Sequence, residues 1–203
     1  FSEYGLIKQR VDVEIKYMAF LLKTLEIDFD QELFDTITNN FNVNDAQIIK
    51  EIERTTNHDV KAVEYYIKEQ LPDNLKEYVH FGLTSQDINS VVYTWQMREG
   101  VYVLMGYLNT LLNDLNIFAK NNMNISMMSK THGQPATTTT VGYQINVFRE
   151  RLHNQYKQLE SIQYKTKFGG AVGTLNAHKV AYPMVDWLTE MDKFIKQFGF
   201  KRH

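Results

Sequence analysis

Residues 126–142, SMMSKTHGQPATTTTVG, surround His132 with polar side chains that could take part in proton transfer. Pro135 lacks a backbone donor and biases Gln134 toward an extended conformation, so we expect His132 on a loop or at a helix entry. The four threonines at 137–140 favour a cap, which predicts that a helix begins near them. An imidazole beside hydroxyls and a helix N-terminus suits proton transfer to a bound anion. The alternative is a loop histidine with a purely structural hydrogen bond.

A second polar cluster, TTNHD at residues 55–59, precedes another helical pattern. Asn57 or Asp59 is predicted to cap that helix. One interpretation is a capped helix whose His58 faces solvent. The other is that Asn57, His58 and the helix amides together hold an anion.

A third cluster, HFGLTSQD at residues 80–87, repeats this arrangement. Thr84 followed by Asp87 resembles a capping box in front of a long helix. Ser85 adds a hydroxyl that a cap does not need, and Gly82 would allow close approach of the backbone to another group. His80 taken alone is typical of a partly buried histidine with its hydrogen bonds satisfied.

The composition of the chain indicates a globular protein. It has 203 residues, of which 43% are hydrophobic and 13% aromatic, with 22 basic and 24 acidic side chains and no cysteine. A net charge of -2 without a basic run argues against nucleic acid or a membrane surface as partner and favours a small molecule or another subunit. Disulfides and thiol catalysis are excluded, and a cytoplasmic location is predicted.

Apolar residues recur at three- and four-residue steps along nearly the whole chain, which predicts an all-α fold. Asn44 and Asp45 are predicted to cap the third helix, and the last helix is expected to turn Met184 inward. The helix that follows Ser85 should be about 50 Å long, as in elongated bundles. The glycines at 169, 170 and 173 could approach a phosphate, but no predicted strand precedes them, so they are not a dinucleotide-binding motif. No histidine or acidic pair has the spacing of metal ligands. The predicted helices cover residues 2–25, 32–41, 46–54, a stretch from 60 to before Pro72, 88–119, 141–162 and 184–198.

Five segments in order carry a resemblance: FSEYGLIKQRVDVEI, TTNHDVKAVEYY, HFGLTSQDIN, SKTHGQPATTTTVG and GAVGTLNAHKVAYPMVDW. Together they closely resemble the adenylosuccinate lyases, and in particular the bacterial-type branch of this family in the fumarase/aspartase superfamily. The resemblance implies a small N-terminal helical domain, residues 1–84, followed by the first part of a central long-helix bundle, residues 85–203.

The resemblance also implies an activity. Members of this family cleave adenylosuccinate to AMP and fumarate, and cleave the succinocarboxamide ribotide of purine synthesis in the same way, without a cofactor. Their homotetramers share active sites between subunits. His132 matches the general acid, and His80 matches a histidine near the substrate phosphate. Thr131 and Gln134 are expected to orient His132 or touch substrate. The positions that match substrate-binding residues are Asn57, His58, Asp59, Thr84 and Ser85.

The family's serine loop, Gly-Ser-Ser-x-Met-Pro-x-Lys-x-Asn-Pro, supplies the catalytic base and does not occur in these 203 residues. An N-terminal Arg-Tyr substrate contact and the C-terminal part of the family's bundle are missing too. We therefore expect about half of an enzyme that would be inactive alone. The alternatives are a lyase of the same superfamily acting on another amino-dicarboxylate, and a non-catalytic helical assembly fragment.

Overall fold

In the computed structural model, which describes residues 1–203, eight α-helices carry most of the chain. The predicted all-α fold is confirmed, with two short pairs of strands added to it. A short 3-10 turn covers Lys76–Tyr78. The helices are α1 Glu3–Thr24, α2 Gln31–Asn39, α3 Val43–Thr56, α4 Asp59–Glu69, α5 Ser85–Asn121, α6 Val141–Glu160, α7 Asn176–Ala181 and α8 Trp187–Lys196, and the strands are β1 Ser126–Thr131, β2 Gln134–Thr140, β3 Lys165–Thr166 and β4 Lys201–Arg202.

The chain forms two compact units. The first unit comprises residues 1–96 and 164–203, and the second comprises residues 97–163. Helix α5 contributes residues to both. A division into domains at residues 84 and 85 stays a prediction.

Two hydrophobic clusters form the core of the first unit, and α1 contributes to both. One face of α1 places Val11 and Met18 against α2, α3 and α4. Its opposite face places Tyr17 and Leu21 among side chains of α5, α8 and the segment before α7. Because each fully buried apolar side chain contributes about 1.5–3 kcal/mol, a helix that is apolar on two faces can organise the whole unit.

Two details of the predicted helices are wrong. Asn42, and not Asn44 or Asp45, caps α3, because its side chain accepts from the Asn44 amide at 2.9 Å while Asp45 accepts from the Asn42 amide at 2.9 Å. Met184 is 95% exposed, since it precedes the first turn of α8 and does not share the buried face of that helix. The buried positions of α8 are Trp187, Met191, Phe194 and Ile195.

The second unit contains an antiparallel hairpin, β1 paired with β2, which the helical patterns did not predict. Threonine favours caps, but its branched Cβ also favours strands. The cap prediction is nevertheless confirmed at one position, because the Thr140 side chain accepts from the Tyr143 amide at 3.2 Å and α6 begins at the next residue.

None of the helices combines the length and the apolar character that crossing a bilayer demands.

Candidate active site

The Asn57, His58 and Asp59 segment forms a direct junction between α3 and α4. Asn57 has a left-handed φ of 50° and ends α3, and the Nδ1 atom of His58 accepts from the Lys61 amide at 3.1 Å to begin α4. The prediction that Asn57 or Asp59 caps α4 is therefore wrong. Because no linker separates the two helices, Asn57 is the C-cap of α3 and the next residue, His58, is the N-cap of α4.

The role of His58 as a cap determines which of its nitrogens carries the proton. A backbone amide can only donate, so Nδ1 must accept and the neutral ring is protonated at Nε2. That Nε2 atom lies 3.4 Å from the Ser85 hydroxyl oxygen. Two of the predicted substrate-binding segments thus meet in the first unit, and the His58 side chain remains 48% exposed to an incoming ligand.

Arg10 of α1, which belongs to none of the three polar clusters, joins the elements that carry these segments. Its side chain is only 5% exposed, and its Nη2 atom lies 2.6 Å from the Asp59 carboxylate. Its Nε atom donates to Asn89 of α5 at 2.9 Å. The signal that could have revealed it is a charged residue next to Val11 within the apolar stripe of α1.

The carboxyl group of Asp59 is held in its ionised form. Partial burial raises its pKa, but the Val60 amide at 2.8 Å and the Arg10 guanidinium together bring the pKa below its ordinary value. The first turn of α4 therefore carries one permanent negative charge that Arg10 balances.

Thr84 stands at the start of α5, as the capping pattern predicted. Its amide donates to the Asp87 carboxylate at 2.9 Å. Asp87 is fully buried and also accepts from the amides of Gly169 at 2.9 Å and Gly170 at 3.0 Å and from Lys167 at 2.7 Å. These two glycine amides, considered above for a phosphate, thus hold a carboxylate of the chain itself.

His80 is partly buried and paired, as its sequence context predicted. Its Nδ1 atom lies 2.6 Å from Glu14 and its Nε2 atom 3.7 Å from Glu64. Burial lowers the pKa of His80, but the hydrogen bond and charge of Glu14 outweigh it, so the pKa lies above its ordinary value. Burial has the opposite effect on the carboxyl group of Glu14 and raises its pKa. Both shifts favour a proton held between His80 and Glu14. A placement of His80 near a substrate phosphate stays a prediction.

His132 lies in the second unit, at the turn between β1 and β2. It is exposed, and positive φ angles of 52° at His132 and 79° at Gly133 indicate a type I′ turn. Thr131 and Gln134 pair across the end of the hairpin. The predicted loop position is confirmed, and the ring is open to a reaction partner.

The first unit thus brings together five of the six predicted site residues at the beginnings of two helices. Backbone amides at a helix N-terminus favour anions, and the hydroxyls of Thr84 and Ser85 add donors beside them. This arrangement suits binding of carboxylate or phosphate groups. No group of three or more His, Asp or Glu side chains is arranged to hold a metal ion.

A family model described as "Lyase" matches residues 14–200. The chain belongs to this lyase family. Among its curated relatives, an adenylosuccinate lyase of Dictyostelium discoideum is 48% identical over 97% of this chain and 46% of its own length. Adenylosuccinate lyases of Vibrio cholerae serotype O1 and Escherichia coli strain K12 are 40% and 38% identical, over 97% and 99% of this chain and 46% and 47% of their own lengths. The lyase chain therefore spans about half the length of the curated relatives it matches.

Two solved structures share the fold of this lyase. A fumarate lyase from Mesorhizobium sp. BNC1 matches with a TM-score of 0.81 at 20% identity, over 98% of this chain and 46% of its own. The beta-carboxy-cis,cis-muconate cycloisomerase of Acinetobacter calcoaceticus sp. ADP1 matches with a TM-score of 0.79 at 18% identity, over 100% of this chain and 48% of its own. At such identities the likeness concerns the fold alone.

Proposed function

We propose that this chain works as part of an adenylosuccinate lyase that cleaves adenylosuccinate to AMP and fumarate. The same site would cleave the succinocarboxamide ribotide to its carboxamide and fumarate. The observation that carries the proposal is the meeting of His58 and Ser85 in a chain that is 48% identical to an adenylosuccinate lyase. We propose that the reaction takes place in the cytoplasm and requires no cofactor.

Asn57, His58, Asp59, Thr84 and Ser85 are the proposed substrate-binding residues. The substrate carries carboxylates and a phosphate, and both are anions that accept hydrogen bonds. Hydroxyls and an Nε2-protonated imidazole are suitable donors for such groups. Arg10 supports this segment by balancing the Asp59 carboxylate at 2.6 Å.

His132 is the proposed general acid. The elimination removes a proton from the carbon next to a carboxylate, and the electron pair of the breaking C–N bond stays on the purine nitrogen. A protonated His132 would donate its proton to that nitrogen. Its exposed position at the tip of a turn supports this role. The base is expected on a serine loop outside these 203 residues.

We also propose a homotetramer with shared active sites. Exposed apolar side chains on the second unit support the proposal, because single ones are common on a protein surface but many on one pair of helices are typical of an interaction surface. Helices α5 and α6 expose Tyr102, Val103, Tyr107, Leu111, Ile117, Phe118, Tyr143 and Phe148.

The role of His132 can be tested in a protein of the relatives' length that contains this chain. His132→Ala should lower the rate of fumarate release by about 100-fold or more, because a general acid contributes about 10²–10⁴. His153→Ala is the matched control, since His153 also belongs to the second unit but lies on α6 and stacks on Tyr156. The control should leave the rate nearly unchanged.

Three results would contradict the proposal in different ways. An equal loss of fumarate-release rate in His132→Ala and His153→Ala would show that His132 is not the general acid. Faster turnover of argininosuccinate or aspartate than of adenylosuccinate would point to another lyase of the superfamily. Assembly without turnover of any of these substrates would favour a non-catalytic helical scaffold.

A further inference from the structure

The backbone that leads to Thr84 and Ser85 is held in an unusual conformation. His80 and Gly82 have positive φ angles of 58° and 70°. For a residue other than glycine, such as His80, this conformation costs energy and persists where surrounding groups enforce it, often at functional sites. The groups that enforce this one lie in the first unit, in α1 and α7.

Tyr17 of α1 and His178 of α7 form a buried hydrogen-bonded chain that ends on this backbone. The Tyr17 hydroxyl lies 2.7 Å from the Phe81 carbonyl oxygen and 2.6 Å from Nε2 of His178. A carbonyl oxygen can only accept, so the hydroxyl proton points to Phe81. His178 must therefore carry its proton on Nε2 and donate it to the Tyr17 oxygen.

The His178 ring also lies directly against the backbone of Gly82. A Cβ at position 82 would come within 2.5 Å of Cε1 and 2.7 Å of Nδ1 of the ring. No side chain other than the hydrogen of glycine fits there. Gly82 thus allows the close approach that its sequence context predicts, and the group that approaches is His178.

This arrangement leaves one polar atom of the core without a partner. With the proton on Nε2, Nδ1 of His178 is a buried acceptor that makes no hydrogen bond. Buried polar atoms are normally paired, so an unpaired one calls for a structural explanation. The pKa of His178 is lowered to about 4 by burial, which keeps the ring neutral near pH 7.

We propose that Tyr17 and His178 are positioning residues, which fix the Phe81–Gly82 backbone and thereby place the Thr84 and Ser85 hydroxyls for substrate. The inference rests on the proposed function of that site. The Asp87 carboxylate fixes the Thr84 amide from the other side at 2.9 Å. The segment is thus anchored at residue 81 through Tyr17 and at residue 84 through Asp87.

Tyr17→Phe tests the proposal in a protein of the relatives' length, because it removes only the hydroxyl and keeps the ring. The KM for adenylosuccinate should rise about five- to tenfold while kcat changes less than about threefold, as expected when binding groups are misplaced. Tyr66→Phe is the matched control. Tyr66 is also buried, but its hydroxyl bonds to Asp45 of α3 and it packs in the other hydrophobic cluster, away from Tyr17 and His178.

A second pair of variants covers the case in which Tyr17→Phe does not fold. His178→Gln retains an N–H that can donate to the Tyr17 oxygen, whereas His178→Leu does not. KM should stay closer to that of the unmodified protein in His178→Gln. Equal KM values for these two variants, or equal changes in Tyr17→Phe and Tyr66→Phe, would overturn the proposal.

Amide hydrogen exchange separates this inference from the proposed function, since it needs no substrate. Tyr17→Phe should speed exchange of the Leu83 and Thr84 amides, and Tyr66→Phe should not. If the unmodified protein does not cleave adenylosuccinate but the exchange pattern holds, the positioning contact stands and the proposed function fails. Unchanged exchange in Tyr17→Phe would refute the positioning role whatever the activity.

Discussion

At the scale of single residues, three histidines of the first unit differ because their neighbours differ. His58 caps a helix and faces solvent, His80 lies between two carboxylates, and His178 is fully buried beside a hydroxyl. One residue type therefore serves as a cap, a partner for buried carboxylates and a neutral donor. Which role each takes follows from the groups that reach its two nitrogens.

His178 should make the stability of the chain depend on pH. Burial holds its pKa at about 4 in the folded chain, against an ordinary value of 6.5. Between about pH 6.5 and pH 4 the unfolded chain therefore binds a proton at His178 that the folded chain does not bind. The contribution of His178 to the free energy of unfolding is fully present above pH 6.5, and this free energy falls by about 3 kcal/mol as the pH drops to about 4.

Urea unfolding of this chain and of its His178→Gln variant at several pH values between 7 and 4 would measure this contribution. Glutamine does not titrate, so the variant should lose less free energy of unfolding on acidification. Tyr17 faces the ring and Asp87 is the nearby charge that partly opposes the effect. Parallel pH curves for the two proteins would refute the assignment.

At the scale of elements, the candidate site depends on where helices begin. The starts of α4 and α5 meet through His58 and Ser85, and α1 holds both helices through Arg10. In the second unit, the start of α6 packs against the end of α5 at Gly142, whose amide donates to Asn122 at 3.0 Å. Close approach of backbones at such ends depends on small residues.

Two glycine substitutions should therefore have opposite effects on stability. In Gly142→Ala the added Cβ would meet the Ala119 carbonyl oxygen and lie 2.6 Å from Cα of Met123, so we expect a loss of about 1–3 kcal/mol. In Gly106→Ala, within α5, nothing lies within 4 Å, so better helix propensity should add about 0.5–1 kcal/mol. Thermal unfolding of the chain measures both changes. A gain in stability in Gly142→Ala would mean that the α5 and α6 ends do not pack as described, and a loss in Gly106→Ala would contradict the open position of Gly106.

At the scale of the whole molecule, the chain contains the proposed binding residues and the proposed acid but not the proposed base. Its residues cover 46–47% of curated adenylosuccinate lyases that are 38–48% identical to it. The exposed apolar side chains of the second unit are consistent with further protein surface packing on them. A working site is therefore proposed to need residues beyond those described here.

The 203-residue chain by itself should not release fumarate from adenylosuccinate, whereas a protein of the relatives' length should. The comparison is a turnover assay on both proteins at equal concentration. His132→Ala in the longer protein provides the background rate. Turnover by the short chain above that background would show that the base lies within these residues and would overturn its assignment to a serine loop.

Local patterns in the sequence were sufficient for the helices and several of their ends. Apolar periodicity located seven of the eight helices, and the capping pattern at Thr84 and the turn at His132 are as predicted. These features depend on residues within a few positions of one another. The hairpin was missed because threonine suits both a helix cap and a strand, and local propensity alone does not choose between them.

The helical periodicity, the positions of the polar clusters and the resemblance to a lyase family follow from the order of residues alone. Three contacts become visible only in the folded chain: Arg10 reaches Asp59 and Asn89, Asp87 occupies the glycine amides, and His178 lies against Gly82. Each of these contacts joins residues from separate elements of the first unit. Spacing along the chain carries no direct record of such pairs, because they form only when packing of apolar faces brings distant helices together.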